Sequence, residues 1–405
     1  MKLKPIFLLI ILVLALNLQG GNSMFSFYGL PCQNYGYDIY GISMGNVGIS
    51  DIFRKNTGYA NPAIMGAANR AFFSTGIIFG WTGYKSDGTE KTTYRDNSLD
   101  FPYFSVSLPV NNHHFGFQFN SMASGVVANQ NTFTADSLTI TEYNSIDRYI
   151  YKADILYAYH YHHINLGVGF NYYLGHEITR FSQDGGFGIF NTKETLSSTF
   201  KNPSATVGMT IGYENFAAGA YYSHSADLKG DKTRTSIHET EELGSAKFSV
   251  PAQIGAGFTA KLGNEYKAST EVVFSLWKDA TYKDYPHNGI KIGLGIAQEP
   301  RPDSRKTFFG QMPKRIGISH RLLPFEVNNH TVSETALSSG ITFPIKNSDN
   351  QLDFGIQYLV RGSLEQHNKQ DSSLMFMIGI TGFDILTKAF NRKAPRDIPV
   401  AEDID

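Results

Sequence analysis

Residues 164–172 read Ile-Asn-Leu-Gly-Val-Gly-Phe-Asn-Tyr, and every second residue is apolar. In an extended chain Ile164, Leu166, Val168, Phe170 and Tyr172 face one way, while Asn165, Gly167, Gly169 and Asn171 face the other. The same period recurs on both sides of this stretch. Phe73, Thr75, Ile77, Phe79 and Trp81 oppose Ser74, Gly76 and Gly80, and Phe104, Val106 and Leu108 oppose Ser105 and Ser107. Phe115, Phe117 and Phe119 oppose Gly116, Gln118 and Asn120. Further along, Val207 to Tyr213, Ile254 to Phe258, Ile290 to Ile296, Leu352 to Val360 and Leu374 to Ile380 alternate in the same way. A soluble sandwich also alternates. It does not need glycine opposite nearly every apolar residue, whereas small inward residues leave room inside a closed barrel. Many runs reach about 10 residues, enough for a tilted strand to cross a bilayer.

Composition points the same way. The 405 residues include 30 Phe, 23 Tyr and 39 Gly, yet mean hydropathy is only −0.23. That balance suits a wall that is apolar outside and polar inside, and it excludes a bundle of apolar helices. The net charge of −1 offers no field for nucleic acid. A single cysteine, Cys32, excludes an intrachain disulfide. Lys2 and Lys4 before an apolar run from Ile6 to Leu16, with Gly21-Asn22-Ser23 following, read as a secretory signal cut after Ser23.

The connections sort into two kinds. Asn111-Asn112, His162-His163, Glu214-Asn215, Gly263-Asn264 and Lys346–Asn350 read as short turns. Residues 85–99, 126–146, 177–202, 228–246, 322–333 and 362–371 read as long polar loops. Short turns at one end and long loops at the other is the outer-membrane pattern. Residues 298–310 break it: either one short turn is expanded or the hairpin count slips by one. The fold class expected is all-β, a transmembrane antiparallel β-barrel of about 14 strands. Residues 1–23 are the signal, 24–70 an N-terminal hatch plugging the lumen, 71–384 the barrel and 385–405 a periplasmic C-terminal tail.

The hatch is expected because residues 36–66 lack period-two alternation and carry Gly45, Gly48 and an Asn61-Pro62-Ala63 triplet. Glycine allows close packing, and Asn-Pro favours an extended entry into a turn. Gly45-Asn46-Val47-Gly48 followed by Asn61-Pro62-Ala63 resembles the hatch of the FadL-type outer-membrane transport family. Val250–Gly257, Leu276-Trp277 and Tyr358–Ser363 are similar to further patterns of that family, in the same order. The run Ile52–Asn56 departs from it, since an acidic, small-residue-rich stretch often stands there. The resemblance covers nearly the whole mature chain. It implies uptake of long-chain fatty acids or other hydrophobic compounds, with capture at the extracellular mouth and release past the hatch, sideways through the wall. It also implies a kink in the third strand, for which Gly116 or Gly125 is the expected place.

By strand parity, Lys152, Asp154, Lys267, Glu271, Lys291, Asp353 and Arg361 face the lumen, as do Met122, Leu156, Met375 and Met377. The charges either bind a substrate carboxylate or pair with one another and the hatch. The apolar four either line a greasy pocket or pack on the hatch. His113, His114, His160, His162 and His163 lie near short turns, without the spacing of a metal site. No nucleophile, zinc or nucleotide motif supports an enzyme, and no cofactor is expected. The partners expected are hydrophobic small molecules and outer-membrane lipid. The rival expectation is a secretion-associated or structural barrel that binds other proteins and has no solute path. A lumen filled by hatch and charge pairs would favour that rival.

Overall fold

In the computed structural model the alternating segments become a closed antiparallel ring. The structure describes residues 23–28, 32–33, 36–54, 60–87, 91–135, 138–186, 192–281, 285–299, 312–345 and 350–383. Its strands are β1 (Cys32–Gln33), β2 (Phe72–Asp87), β3 (Lys91–Asp100), β4 (Tyr103–Val110), β5 (His113–Ala135) and β6 (Leu138–Tyr161). There follow β7 (Ile164–Asp184), β8 (Thr192–Gly212), β9 (Phe216–Ser223), β10 (Ala226–Thr235), β11 (Thr240–Val250) and β12 (Gln253–Leu262). The last are β13 (Tyr266–Ser275), β14 (Gly289–Gln298), β15 (Lys314–Val327), β16 (His330–Pro344), β17 (Gln351–Ser363) and β18 (Lys369–Phe383). β18 closes on β2 from Lys369 opposite Ser86 to Phe383 opposite Phe72. The ring has 14 wall positions, three of them held by interrupted strands: β3 with β4, β9 with β10, and β11 with β12.

The two faces of the wall differ as the alternation requires. Leu166, Phe170, Ile254, Leu294 and Phe376 are exposed on the outer face, and Ile155 is 67% exposed. In water such a belt would be a large apolar liability; against lipid it is the favourable surface. No described helix is long and apolar enough to cross a membrane, so crossing falls to the strands. At one end the turns are tight, with Asn111 and His162 in the left-handed region at φ 55° and 53°.

At the other end the expected long loops are mostly wall. β5 and β6 continue as a hairpin to Ala135 and Leu138, β7 and β8 run to Asp184 and from Thr192, and β10 and β11 run to Thr235 and from Thr240. β3 occupies most of 85–99. Residues such as Thr139 and Thr141 carry no apolar period because neither lipid nor a core faces them there. Cross-strand ladders continue without it. The doubtful stretch at 298–310 joins neighbouring strands, since Ala297 pairs with Arg315; the turn is expanded and the hairpin count stands. Residues 300–311 themselves, the leader before Ser23 and residues 384–405 lie outside the described residues.

Among the described residues wall pairing lapses in two places: β11, ahead of Pro251, pairs only with β10, and the other lapse lies between β3 and β5. β4 pairs with β5 only as far as Tyr103 opposite Asn120. Beyond Phe101-Pro102, β3 pairs with β2 and, among the described residues, with no other strand. Proline cannot donate to a ladder, which suits a break at that point. The upper part of β5 takes β1 instead, Cys32 opposite Ser124 and Gln33 opposite Ala123. Gly116 and Gly125, the expected places for a kink, are paired to Leu156 and Arg148, and the register shift in β5 lies between Ser121 and Ala123. The extra residue there is Met122, as in a bulge.

Candidate functional site

The segment before β2 runs through the ring against its inward face. It begins at the long-hairpin end with a 3-10 turn, Met24–Tyr28, in which Phe25 packs with Trp277, Tyr285, Leu323, Phe325, Val327 and Val332. Burial raises the Tyr285 phenol above its usual range, and nearby Arg148 offsets part of that. The segment then forms the β1 ladder in the wall gap, a short helix Ile39–Ser43, and a second 3-10 turn Pro62–Ala67 near the short-turn end.

Asp38 starts the helix, its Oδ1 accepting from Gly41 N at 2.8 Å. The same carboxylate takes Arg54 at 2.7 Å, and Arg54 also meets Asp51 at 3.3 Å. Asp51 reaches the wall through Lys267 at 3.0 Å, and Lys267 meets Glu299 at 3.1 Å. One turn of wall away, Glu271 accepts from Gly48 N at 2.7 Å and Ile49 N at 3.1 Å, and from Tyr37 and Lys291. Lys291 also donates to Asn46 O at 2.7 Å. Arg315 donates to Ser43 Oγ at 2.6 Å and meets Asp353 at 3.1 Å. The ring of Tyr40 receives three cations: Arg315 at 4.4 Å, Arg54 at 4.8 Å and Lys267 at 5.1 Å. These charges are paired with one another and all but Glu299 are buried; pairing is the condition under which buried ions are tolerated.

Backbone contact explains several of the wall glycines. A Cβ on Gly317 would lie 2.2 Å from Gly45 N, on Gly295 2.1 Å from Met44 O, and on Gly219 2.4 Å from Ile49 O. Gly45 itself has φ 83°, a conformation that favours glycine, and faces the β14 and β15 backbones. Asn61 caps the second turn, its Oδ1 accepting from Ala63 N at 3.0 Å while its amide donates to Ile49 O at 3.0 Å. Pro62 takes the first helical position, where its missing N–H costs nothing. Ala63 lies on Gly167, whose Cβ would sit 2.3 Å from Ala63 N.

Two cavities bear on a path through the ring. One of about 100 Å³ lies above the helix and reaches the wall discontinuity: Ile42, Ile78 and Met375 line one part, Arg321 and Glu334 another, and Asp100, Pro102 and Ser124 the break. The second, about 230 Å³, lies toward the long-hairpin end, with Phe200, Phe248 and Tyr285 as apolar lining and Arg148, Lys232 and Lys247 around them. Arg148 is paired with Glu177 and stands 5.8 Å from the Phe248 ring.

Of the residues picked out by parity, Glu271, Lys291, Lys267 and Asp353 meet at the helix. Arg361 forms a separate group with Glu334 and Arg321, and Lys152 pairs with Asp154 at 3.2 Å. Leu156 packs on Met65, Met375 and Met377 on Tyr37 and Ile39, and Met122 beside the cluster of Ile150 and Tyr173. Gly48 sits on the Glu271 contact, and Gly116 is filled by Met65, 2.4 Å from a Cβ there. Gly125 stays in the β5 ladder. Of the histidines, His113 meets Tyr157 and His160 meets Asn165, each at 2.7 Å. Sequence reading missed Asp38, Asp51, Arg54, Arg315, Arg321 and Glu334. Arg315 and Arg321 share the inward parity of Gly317, which was the available signal.

The family described as BamG matches residues 2–385. No curated protein matches the chain. Among solved structures, the CymD monoaromatic hydrocarbon channel superposes with a TM-score of 0.59 at 13% identity, covering 87% of this chain and 99% of that one. The toluene transporter TodX of P. putida gives 0.60 at 14%, covering 86% and 99%. A FadL homologue of Pseudomonas aeruginosa gives 0.59 at 12%, covering 87% and 99%. The fold is that of the FadL-type outer-membrane barrels.

Proposed function

The chain belongs to the BamG family, and we propose that it admits small hydrophobic compounds to the outer membrane, by a route that leaves sideways above an inner segment that stays in place. The observation that carries this reading is the wall break between β3 and β5, which opens beside a lumenal cavity. The aromatic cavity toward the hairpin end is the capture site, and the smaller cavity at the break is the step before release. Structural kinship with channels titled for monoaromatic hydrocarbons and toluene supports the substrate class. Size supports it as well. A cavity of about 100 Å³ is nearer to the roughly 150 Å³ that holds a benzene ring than to a site for a long acyl chain. Single-ring compounds are therefore favoured over long-chain fatty acids. Cells lacking the protein should take up labelled toluene more slowly than complemented cells; equal rates would overturn the reading.

One observation favours a second reading, a secretion-associated or structural barrel that binds other proteins. Ion pairs and hydrogen bonds from β13, β14 and β15 fix the inner segment. On that reading toluene uptake is unchanged by deletion, and photo-crosslinkers placed on the β10–β11 hairpin capture a protein neighbour in intact membranes.

A further inference from the structure

The geometry points to Asp371 as the receptor for a new chain terminus: the α-ammonium formed at Met24 when the leader is removed. This inference stands apart from the transport reading. Asp371 lies on β18 at the long-hairpin end and is 1% exposed. Ser23 donates its hydroxyl to Asp371 Oδ2, and the Met24 N–H lies beside the same carboxylate. The other oxygen, Oδ1, is buried without a hydrogen-bond partner. An orphaned acceptor at such a site calls for a donor. Arg361, the nearby cation, already binds Glu334. The sequence places the leader cut directly after Ser23, at the residue that touches this carboxylate.

Cleavage changes the donor count and the charge together. A leader peptidase adds water across the Ser23–Met24 amide. The water oxygen leaves with Ser23 as a carboxylate, and the Met24 nitrogen keeps its electron pair and takes up protons to become an ammonium. One neutral N–H beside Asp371 is thereby replaced by three donors carrying a positive charge. Departure of Ser23 clears the space in which they reach both oxygens. Phe25 follows immediately and sits in the aromatic cluster over the mouth, against His367 at 6.1 Å and with its ring where a Gly362 Cβ would fall. The ion pair therefore locks the mouth cap only in the processed, exported chain.

The test uses the full mature protein purified from outer membranes. Intact mass and N-terminal sequencing should place Met24 first. The folded protein's α-amine should then react with an acylating reagent at neutral pH at least about tenfold more slowly than in denaturant, tenfold being one pKa unit. Asp371→Asn should remove that protection. So should a Gly-Ser insertion ahead of Met24 with Asp371 intact, which covers the case in which Asp371→Asn fails to fold. A mature chain beginning elsewhere, or protection that survives the insertion, overturns the inference.

Discussion

Around β14 and β15 the wall and the inner segment touch backbone to backbone, with glycines on both sides of the contact. At β3 and upper β5, by contrast, wall continuity is replaced by a two-residue ladder from β1. The first region has no slack. Its polar groups come from residues more than 200 positions apart, as in Asp51 with Lys267 and Tyr37 with Glu271, and each buried charge has its counter-charge. The second region has a proline break, a bulge at Met122 and a cavity. On the lateral route proposed above, the two regions divide the work: the firm side would hold the inner segment, and the weak side would be where the wall parts.

The largest effect should follow removal of the carboxylate on the firm side. Glu271→Ala leaves Lys291 buried without its partner and strands two backbone N–H groups. It should cost about 3–5 kcal/mol, read as a lowered unfolding midpoint of the detergent-solubilised barrel. Adding Lys291→Met should recover a large part of that loss, as a double-mutant cycle would show. A next, smaller effect compares two glycines. Gly317→Ala drives a methyl into the Gly45 backbone and should cost about 1–3 kcal/mol, the range for overpacking. Gly80→Ala meets only the Ser98 hydroxyl, 2.5 Å away at the end of a side chain that can rotate, and should cost less than about 1 kcal/mol. Equal losses would erase the distinction drawn between the regions. The smallest effect is expected from Arg180→Ala. Its pair with Asp147 is 42% exposed on the arginine side, and such pairs contribute at most about 1 kcal/mol.

The sequence made the barrel legible because lipid outside and a packed segment inside impose opposite demands on alternate residues. Ile164–Tyr172 states both demands in nine residues. Where neither demand acts, as at Thr139 and Thr141 or in β3, the chain still pairs but the pattern is silent, and wall reads as loop. Parity located Lys152, Glu271, Lys291 and Asp353 on the inner face. It could not name Asp51 as the partner of Lys267, because Asp38, Asp51 and Arg54 lie in a segment with no period. Arg54 stands within the run that departs from the hatch pattern, and the structure gives it two carboxylates. Sequence reading looked for a kink at Gly116 or Gly125 and did not foresee the lapse in pairing at Phe101-Pro102, where a missing donor interrupts the ladder.

The account rests on the path being sideways, and a paired cross-linking measurement of labelled toluene uptake tests it most directly. In a Cys32→Ser background, Asn46→Cys with Ser319→Cys ties the inner segment to β15 where the native side chains meet at 2.9 Å, and Ser98→Cys with Ser124→Cys bridges β3 to β5 across the shared cavity. Uptake should persist within about twofold after the first cross-link and fall to the level of cells lacking the protein after the second. Uptake lost on tying the inner segment, or preserved with the break bridged, would contradict the account.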